Sequence, residues 1–121
     1  MSGREPASTA PAGGPVGVVA VDAGVCGYKA LIRAEKTTGY TVRLTIQTGC
    51  PHVQKIAPDP LEVDAVRQIG LRAGLPSLLE DAYACCAHAA CPVPSALIKA
   101  VEVAAGLALP ADVSLKISKE G

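Results

Sequence analysis

Hydrophobic and polar positions alternate through the first part of the chain and predict three β-strands. The segments are residues 16–21, 29–35 and 40–47, and the last of these alternates over its whole length. A period of two sends one face of a strand to a core and the other to solvent. Turn residues fill the gaps at 22–24 and 36–39. The pattern predicts an antiparallel meander in which Tyr40 and the aliphatic residues that alternate with it face the core.

Helical spacing of apolar residues replaces alternation after Cys50. The predicted helices cover residues 52–57, 61–71, 76–86 and 92–105. Proline stands at several of the expected helix starts, where its missing N–H would be unpaired anyway. Alternation returns over residues 112–118 and predicts a closing strand.

This order of elements predicts an α+β fold. We expect a three- to four-stranded antiparallel sheet with helices on one face, because that arrangement covers every amphipathic surface. Residues 16–121 would form a single domain. Residues 1–15 are rich in Pro, Ala, Gly and Ser without apolar periodicity, which predicts a disordered N-terminal tail.

The charge composition argues against two classes of function, nucleic-acid binding and membrane binding. The chain carries 11 basic and 11 acidic residues, so there is no basic footprint for nucleic acid and no polybasic patch for a membrane. A neutral chain also has little repulsion to oppose a homo-oligomer. We expect a cytoplasmic protein with reduced thiols, since no signal peptide precedes the domain and five cysteines are an odd number.

The cysteines are the candidate chemistry. Strands one and three of a meander run in the same direction, so Cys26 and Cys50, which follow them, are expected at one end of the sheet. Cys91 stands where the longest predicted helix begins. If that helix starts at the same end, Cys91 joins the other two, with Cys86 or His88 alongside.

Two positions favour the thiolate form. Cys50 and Cys91 each precede a proline at a predicted helix start, where unpaired N–H groups and the helix dipole stabilise negative charge. Thiolates bind soft metals, and a sulfur-rich site suits zinc or an iron–sulfur cluster. The first hypothesis is a metal site whose predicted ligands are Cys26, Cys50, Cys86, Cys91 and His88. Whether Cys85 or Cys86 faces the site stays open.

A second hypothesis comes from a resemblance. The segment Ala90-Cys91-Pro92-Val93-Pro94, followed by a helix and an Asp-Val strand, resembles the small sulfur-carrier proteins of tRNA thiolation. In that family a Cys-Pro-x-Pro motif opens a helix and the cysteine carries persulfide sulfur. The resemblance implies that Cys91 is the carrier and that the partner is a protein of a sulfur or iron–sulfur pathway.

The chain as a whole resembles a group of short, uncharacterised cysteine-containing proteins of anaerobic bacteria and archaea. The matching stretches are Ala23–Gly27, Cys50–His52 and His88–Pro94. If the source is anaerobic, the resemblance favours an iron–sulfur cluster rather than zinc in the first hypothesis.

A third hypothesis is an interaction module with inert cysteines, because cysteine packs as a small buried hydrophobe. Cys85 is the residue to which this applies best. His52 follows Cys50-Pro51 but has no identifiable orienting partner, and no phosphate-binding glycine motif occurs. The sequence therefore does not indicate a stand-alone enzyme.

Overall fold

The computed structural model describes residues 14–121. The strands of this part are β1 (Val16–Asp22), β2 (Lys29–Lys36), β3 (Thr41–Thr48) and β4 (Leu61–Asp64). The helices are a 3-10 turn (Val53–Lys55), α1 (Ala65–Gln68), α2 (Ser77–Cys85) and α3 (Val93–Ala104). None of these helices is long and apolar enough to span a bilayer.

The strands form one sheet in the order β1-β2-β3-β4, and every neighbouring pair is antiparallel. Ile32 of β2 faces Val19 on one side and Ile46 on the other, and Leu44 of β3 faces Leu61 of β4. The α+β class with an antiparallel sheet is therefore confirmed.

The core lies between the sheet and α3. The helix packs mainly on β1 and β2, while α2 packs against α3. Ile32 and Leu44 from the sheet and Leu97 and Val101 from the helix have no exposed surface. Without any Phe or Trp, the core is made of aliphatic side chains and alanines.

Gly17 brings α3 very close to β1. A Cβ at this position would lie 2.6 Å from the carbonyl oxygen of Ala100 and 3.2 Å from the backbone nitrogen of Ala104. A glycine within a strand often marks such a backbone approach. The facing alanines keep the helix side of the contact equally small.

A buried glutamine joins α1 to α2. The Gln68 side chain is 4% exposed, and its Oε1 accepts a 2.9 Å hydrogen bond from the N–H of Leu78 in the first turn of α2. Its Nε2 donates to Oγ of Ser77 at 3.2 Å. The side chain thus supplies a cap that Pro76, the N-cap residue, does not provide.

Two sequence predictions are wrong in element type. The helix predicted over 61–71 is instead β4 followed by the single turn of α1, because Leu61 and Val63 pair with β3 and are both buried. Asp64 then caps α1 by accepting from the N–H of Val66 at 3.1 Å. The strand predicted over 112–118 is absent, and these residues are exposed without regular structure.

Other predictions differ only in extent. The helix predicted over 52–57 shrinks to one 3-10 turn ahead of Pro58. Tyr40 lies outside β3 and is half exposed, with Nζ of Lys36 5.6 Å from its ring centroid. The predicted helices over 76–86 and 92–105 correspond to α2 and α3. Most of the predicted tail, residues 1–13, lies outside the described part.

Candidate functional site, a cysteine-lined cavity

The β1–β2 turn presents Cys26 at one end of the sheet. Gly24 and Gly27 have φ values of +83° and +79°, which glycine adopts without the steric cost that a side chain brings. The turn is closed by a 2.9 Å bond from Gly27 N–H to Gly24 O and by a 3.1 Å bond from Ala23 N–H to Tyr28 O. Cys26 is exposed at the tip.

The end of β3 places Cys50 beside the same turn. The Thr48 hydroxyl donates to the carbonyl oxygen of Lys29 at 2.6 Å and accepts from the N–H of Cys50 at 3.1 Å. Nε2 of Gln54 donates to the Thr48 carbonyl at 2.8 Å. Thr48 therefore ties the Cys50 backbone to the start of β2.

The connection from α2 to α3 supplies two further thiols. Cys86 is the C-cap of α2, and its N–H donates to the carbonyl oxygen of Ala82 at 3.1 Å. The N–H of Cys91 donates to the carbonyl oxygen of His88 at 3.2 Å, closing the loop between the helices. Both cysteines are partly buried against the core.

These three segments enclose a cavity of about 30 Å³. Its wall contains the cysteines of all three, Cys26, Cys50 and Cys91. The remaining lining is Ala23, Tyr28, Lys29, Ala30, Thr48, Val53 and Val93. Thiols separated by 24 and 41 positions in the chain thus meet at one end of the sheet.

Cys86 belongs to the same group of thiols. Its pKa is raised from 9.0 to about 12, first by burial and then by a side-chain hydrogen bond with Cys91. Negative charge on Cys91, Cys85 and Cys50 adds to the increase in this pKa. At neutral pH Cys86 is a protonated thiol in contact with Cys91.

The structure brings neither histidine to the cavity and places neither Cys50 nor Cys91 in the first turn of a long helix. The side chains of His88 and His52 are exposed and are not part of the cavity wall. Cys50 precedes only a 3-10 turn, and Cys91 stands one residue before Pro92, the N-cap of α3, so neither occupies the first turn of a long helix. Within residues 14–121, no three His, Cys, Asp or Glu side chains stand in a ready-made metal-binding arrangement.

Tyr28 and Thr48 are parts of the site that the sequence did not single out. The ring of Tyr28 lines the cavity and lies beside Gly49, where a Cβ would be 3.7 Å from its Cδ1. Thr48 ends an alternating strand two residues before a cysteine, a position where a hydroxyl can bond the turn that follows. That spacing was the one available signal.

A larger hollow of about 460 Å³ lies on the open face of the sheet, around Ala20, Leu31 and Gln47. Its wall contains no cysteine or histidine, and its charged residues are Asp22 and Lys29. The groups with distinctive chemistry surround the smaller cavity instead.

Comparison with known proteins finds a family match. No curated protein and no solved structure matches the chain. A family model described as a family of unknown function, DUF6951, matches residues 18–117, which extend from the third residue of β1 past the end of α3 and include all five cysteines. The chain belongs to this family of unknown function, DUF6951.

Proposed function

We propose that the protein binds a thiophilic metal through Cys26, Cys50, Cys86 and Cys91. The observation that carries this proposal is the single cavity shared by three cysteines from distant segments, with Cys86 hydrogen-bonded to one of them. Four sulfur donors suit zinc or iron, either as an ion or in an iron–sulfur cluster.

Electrostatics support a cation at this position. The raised pKa of Cys86 reflects in part the cost of placing several thiolates side by side. A divalent cation reverses that cost, since it attracts each thiolate and displaces the protons. Cys86 then changes from the thiol least ready to ionise into a ligand.

The size of the cavity favours a single ion. A cavity of about 30 Å³ has room for at least one water molecule, so one zinc or iron ion fits it. An iron–sulfur cluster, which contains several iron and sulfur atoms, requires more room. Of the three cysteines in the wall, Cys26 is the exposed one.

Ligation also requires the thiols to turn inward. Because the described side chains do not form a ready-made ligand set, metal binding would proceed with rotation about the Cα–Cβ bonds of the cysteines. Each such rotation exchanges one staggered χ1 position for another. The backbone positions of Cys50 and Cys91 are already fixed by hydrogen bonds.

The test is metal analysis of protein purified without oxygen, followed by titration of the apoprotein with Co²⁺ and Zn²⁺. We expect about one equivalent of bound metal and thiolate-to-cobalt absorption. Each of the variants Cys26→Ser, Cys50→Ser and Cys91→Ser should lose tight metal binding.

Cys85→Ser is the matched control, because Cys85 is also partly buried but does not line the cavity. It should bind metal as the natural protein does. Equal loss in all four variants would indicate unfolding, which circular dichroism would reveal. Visible absorption with sulfide in the protein as purified would identify a cluster instead of a single ion.

Sulfur transfer by Cys91 is the second candidate, and the contact between Cys86 and Cys91 favours it. Because the pKa of Cys86 is raised to about 12, its protonated thiol would donate a hydrogen bond to a persulfide on Cys91 and would not attack it at neutral pH. Incubation with a cysteine desulfurase and cysteine should then add one sulfur to Cys91, detected by mass spectrometry. If the protein bound no metal and formed no persulfide, the remaining hypothesis would be an interaction module with inert cysteines.

A further inference from the structure

The C-terminal segment has a strand pattern but no sheet to join within the described chain. Val113, Leu115 and Ile117 alternate with polar residues and are 61%, 79% and 92% exposed. The backbone hydrogen bonds of the described residues reach only to Leu107, whose N–H donates to the carbonyl oxygen of Glu102 at 2.8 Å. Three large aliphatic side chains in a row therefore remain in solvent.

The sheet has a free edge of matching length. Among residues 14–121, β1 is the end strand of the sheet and pairs only with β2. It consists of seven residues, and Asp22 at its end is its sole charged residue. An edge that is long, apolar and uncharged lacks the usual protection against pairing with another strand.

We propose that residues 112–118 add to the free edge of β1 in a second copy of the chain. The partner returns the same contact, giving a closed dimer with two exchanged strands. Each chain carries both the strand and the edge, so one two-fold symmetric interaction satisfies both. Addition of a strand to an edge is a recurrent mode of recognition that uses main-chain hydrogen bonds.

The position of the segment agrees with this exchange. The last turn of α3 lies on Gly17, near the start of β1, whereas its first residue Val93 lines the cavity at the other end of the sheet. The segment therefore leaves the domain beside the free edge. Residues 105–111 separate it from α3, and residues 107–111 alone can span about 16 Å when extended.

In the added strand, the exposed row of Val113, Leu115 and Ile117 would lie next to exposed valines of β1. Val16 and Val18 on β1 are exposed on the face of the sheet away from the helices, where Glu35 and Arg33 of β2 oppose them, and Leu31 on the same face opposes Ala20. A strand added to β1 extends these exposed valines with Val113, Leu115 and Ile117. The zero net charge of the chain offers little repulsion between two copies.

The experiment compares two double variants of the full chain. Leu115→Asp/Ile117→Asp introduces two carboxylates into the apolar row, and Ser114→Asp/Ser118→Asp introduces the same charge on the opposite side of the segment. Sedimentation velocity over a range of concentrations measures the dimer dissociation constant. We expect the natural protein and Ser114→Asp/Ser118→Asp to be dimers. The dissociation constant of Leu115→Asp/Ile117→Asp should be roughly 100-fold higher or more.

Hydrogen exchange identifies the contact itself. Amides of residues 112–118 and of β1 should be protected in the dimer, and both should lose protection in Leu115→Asp/Ile117→Asp. A natural protein that is monomeric would overturn the proposal, including one whose segment is protected by folding onto its own β1. A dimer that persists unchanged in the aspartate variant of the apolar row would also overturn it.

Discussion

Gly17→Ala tests how closely α3 is packed on the sheet. The added Cβ would meet the carbonyl oxygen of Ala100 at 2.6 Å, whereas ordinary van der Waals contact begins at 3.4 Å. The obstructing atom belongs to a helix backbone and cannot rotate away as a side chain would. The helix must therefore withdraw by about 0.8 Å or the strand must bend.

The expected cost follows from the two ways of relieving this contact. Overpacking a closely packed core typically costs about 1–3 kcal/mol, and the obstructing atom here is a backbone oxygen, so we expect the upper half of that range. For a domain of this size, that loss corresponds to a fall in Tm of roughly 8–12 °C. Removal of glycine entropy from the unfolded chain offsets about 0.4–1 kcal/mol of it.

Gly70→Ala is the matched control, because no heavy atom lies within 4 Å of its added Cβ and its φ is not positive. Urea unfolding of both variants by circular dichroism measures the free energies of unfolding. We expect Gly70→Ala to be as stable as the natural protein or up to about 1 kcal/mol more stable, because only the entropy of the unfolded chain changes. Equal stability of the two variants would refute the close approach of α3 to β1.

Three further predictions concern the core, a helix cap and a thiol. Leu97→Ala should lower the free energy of unfolding by about 3–5 kcal/mol in urea titrations because Leu97 is fully buried, whereas Leu109→Ala, at an exposed position, should change it by less than about 0.5 kcal/mol. Gln68→Leu leaves the N–H of Leu78 without its acceptor and should cost about 1–3 kcal/mol by the same measurement; an unchanged midpoint would contradict the capping role. The thiol of Cys86 keeps its proton to about pH 12 in the folded protein but loses it near 9.0 when unfolded, so its contribution to stability is present below pH 9 and is lost as the pH rises toward 12. Cys86→Ala apoprotein should therefore lose less stability between pH 8 and pH 11 than the natural apoprotein, and parallel losses would contradict the raised pKa.

Much of the fold could be predicted because the relevant patterns are local. The alternation in β2 and β3 and the helical spacing in α2 and α3 each record which side of an element meets the core. The error at 61–71 arose because Leu61 also fits a helical stripe with Ala65, Val66 and Ile69, which follow it. The identity of Leu61 and Val63 as strand residues depends on pairing with Val42 and Leu44, a contact across almost twenty residues of chain.

The cysteine cluster could be anticipated only through topology. No short motif joins Cys26, Cys50 and Cys91, yet a meander forces the ends of β1 and β3 to the same side of the sheet. The local sequence pattern could not predict how exposed each side chain around the cavity is. The exposure of His88 depends on how the loop before α3 closes through its backbone carbonyl.

The same long helix connects the cavity to the free edge of the sheet. Its first turn brings Val93 to the cavity next to Cys91, and its last turn presses Ala100 and Ala104 on Gly17. Because a helix transmits a displacement along its axis with little internal deformation, a withdrawal at Gly17 should be felt at Cys91. The proposed metal binding and the proposed dimerisation would therefore both depend on one packing contact while using different residues. Substitutions in the cysteines should weaken only the first property, substitutions in 112–118 only the second, and Gly17→Ala both.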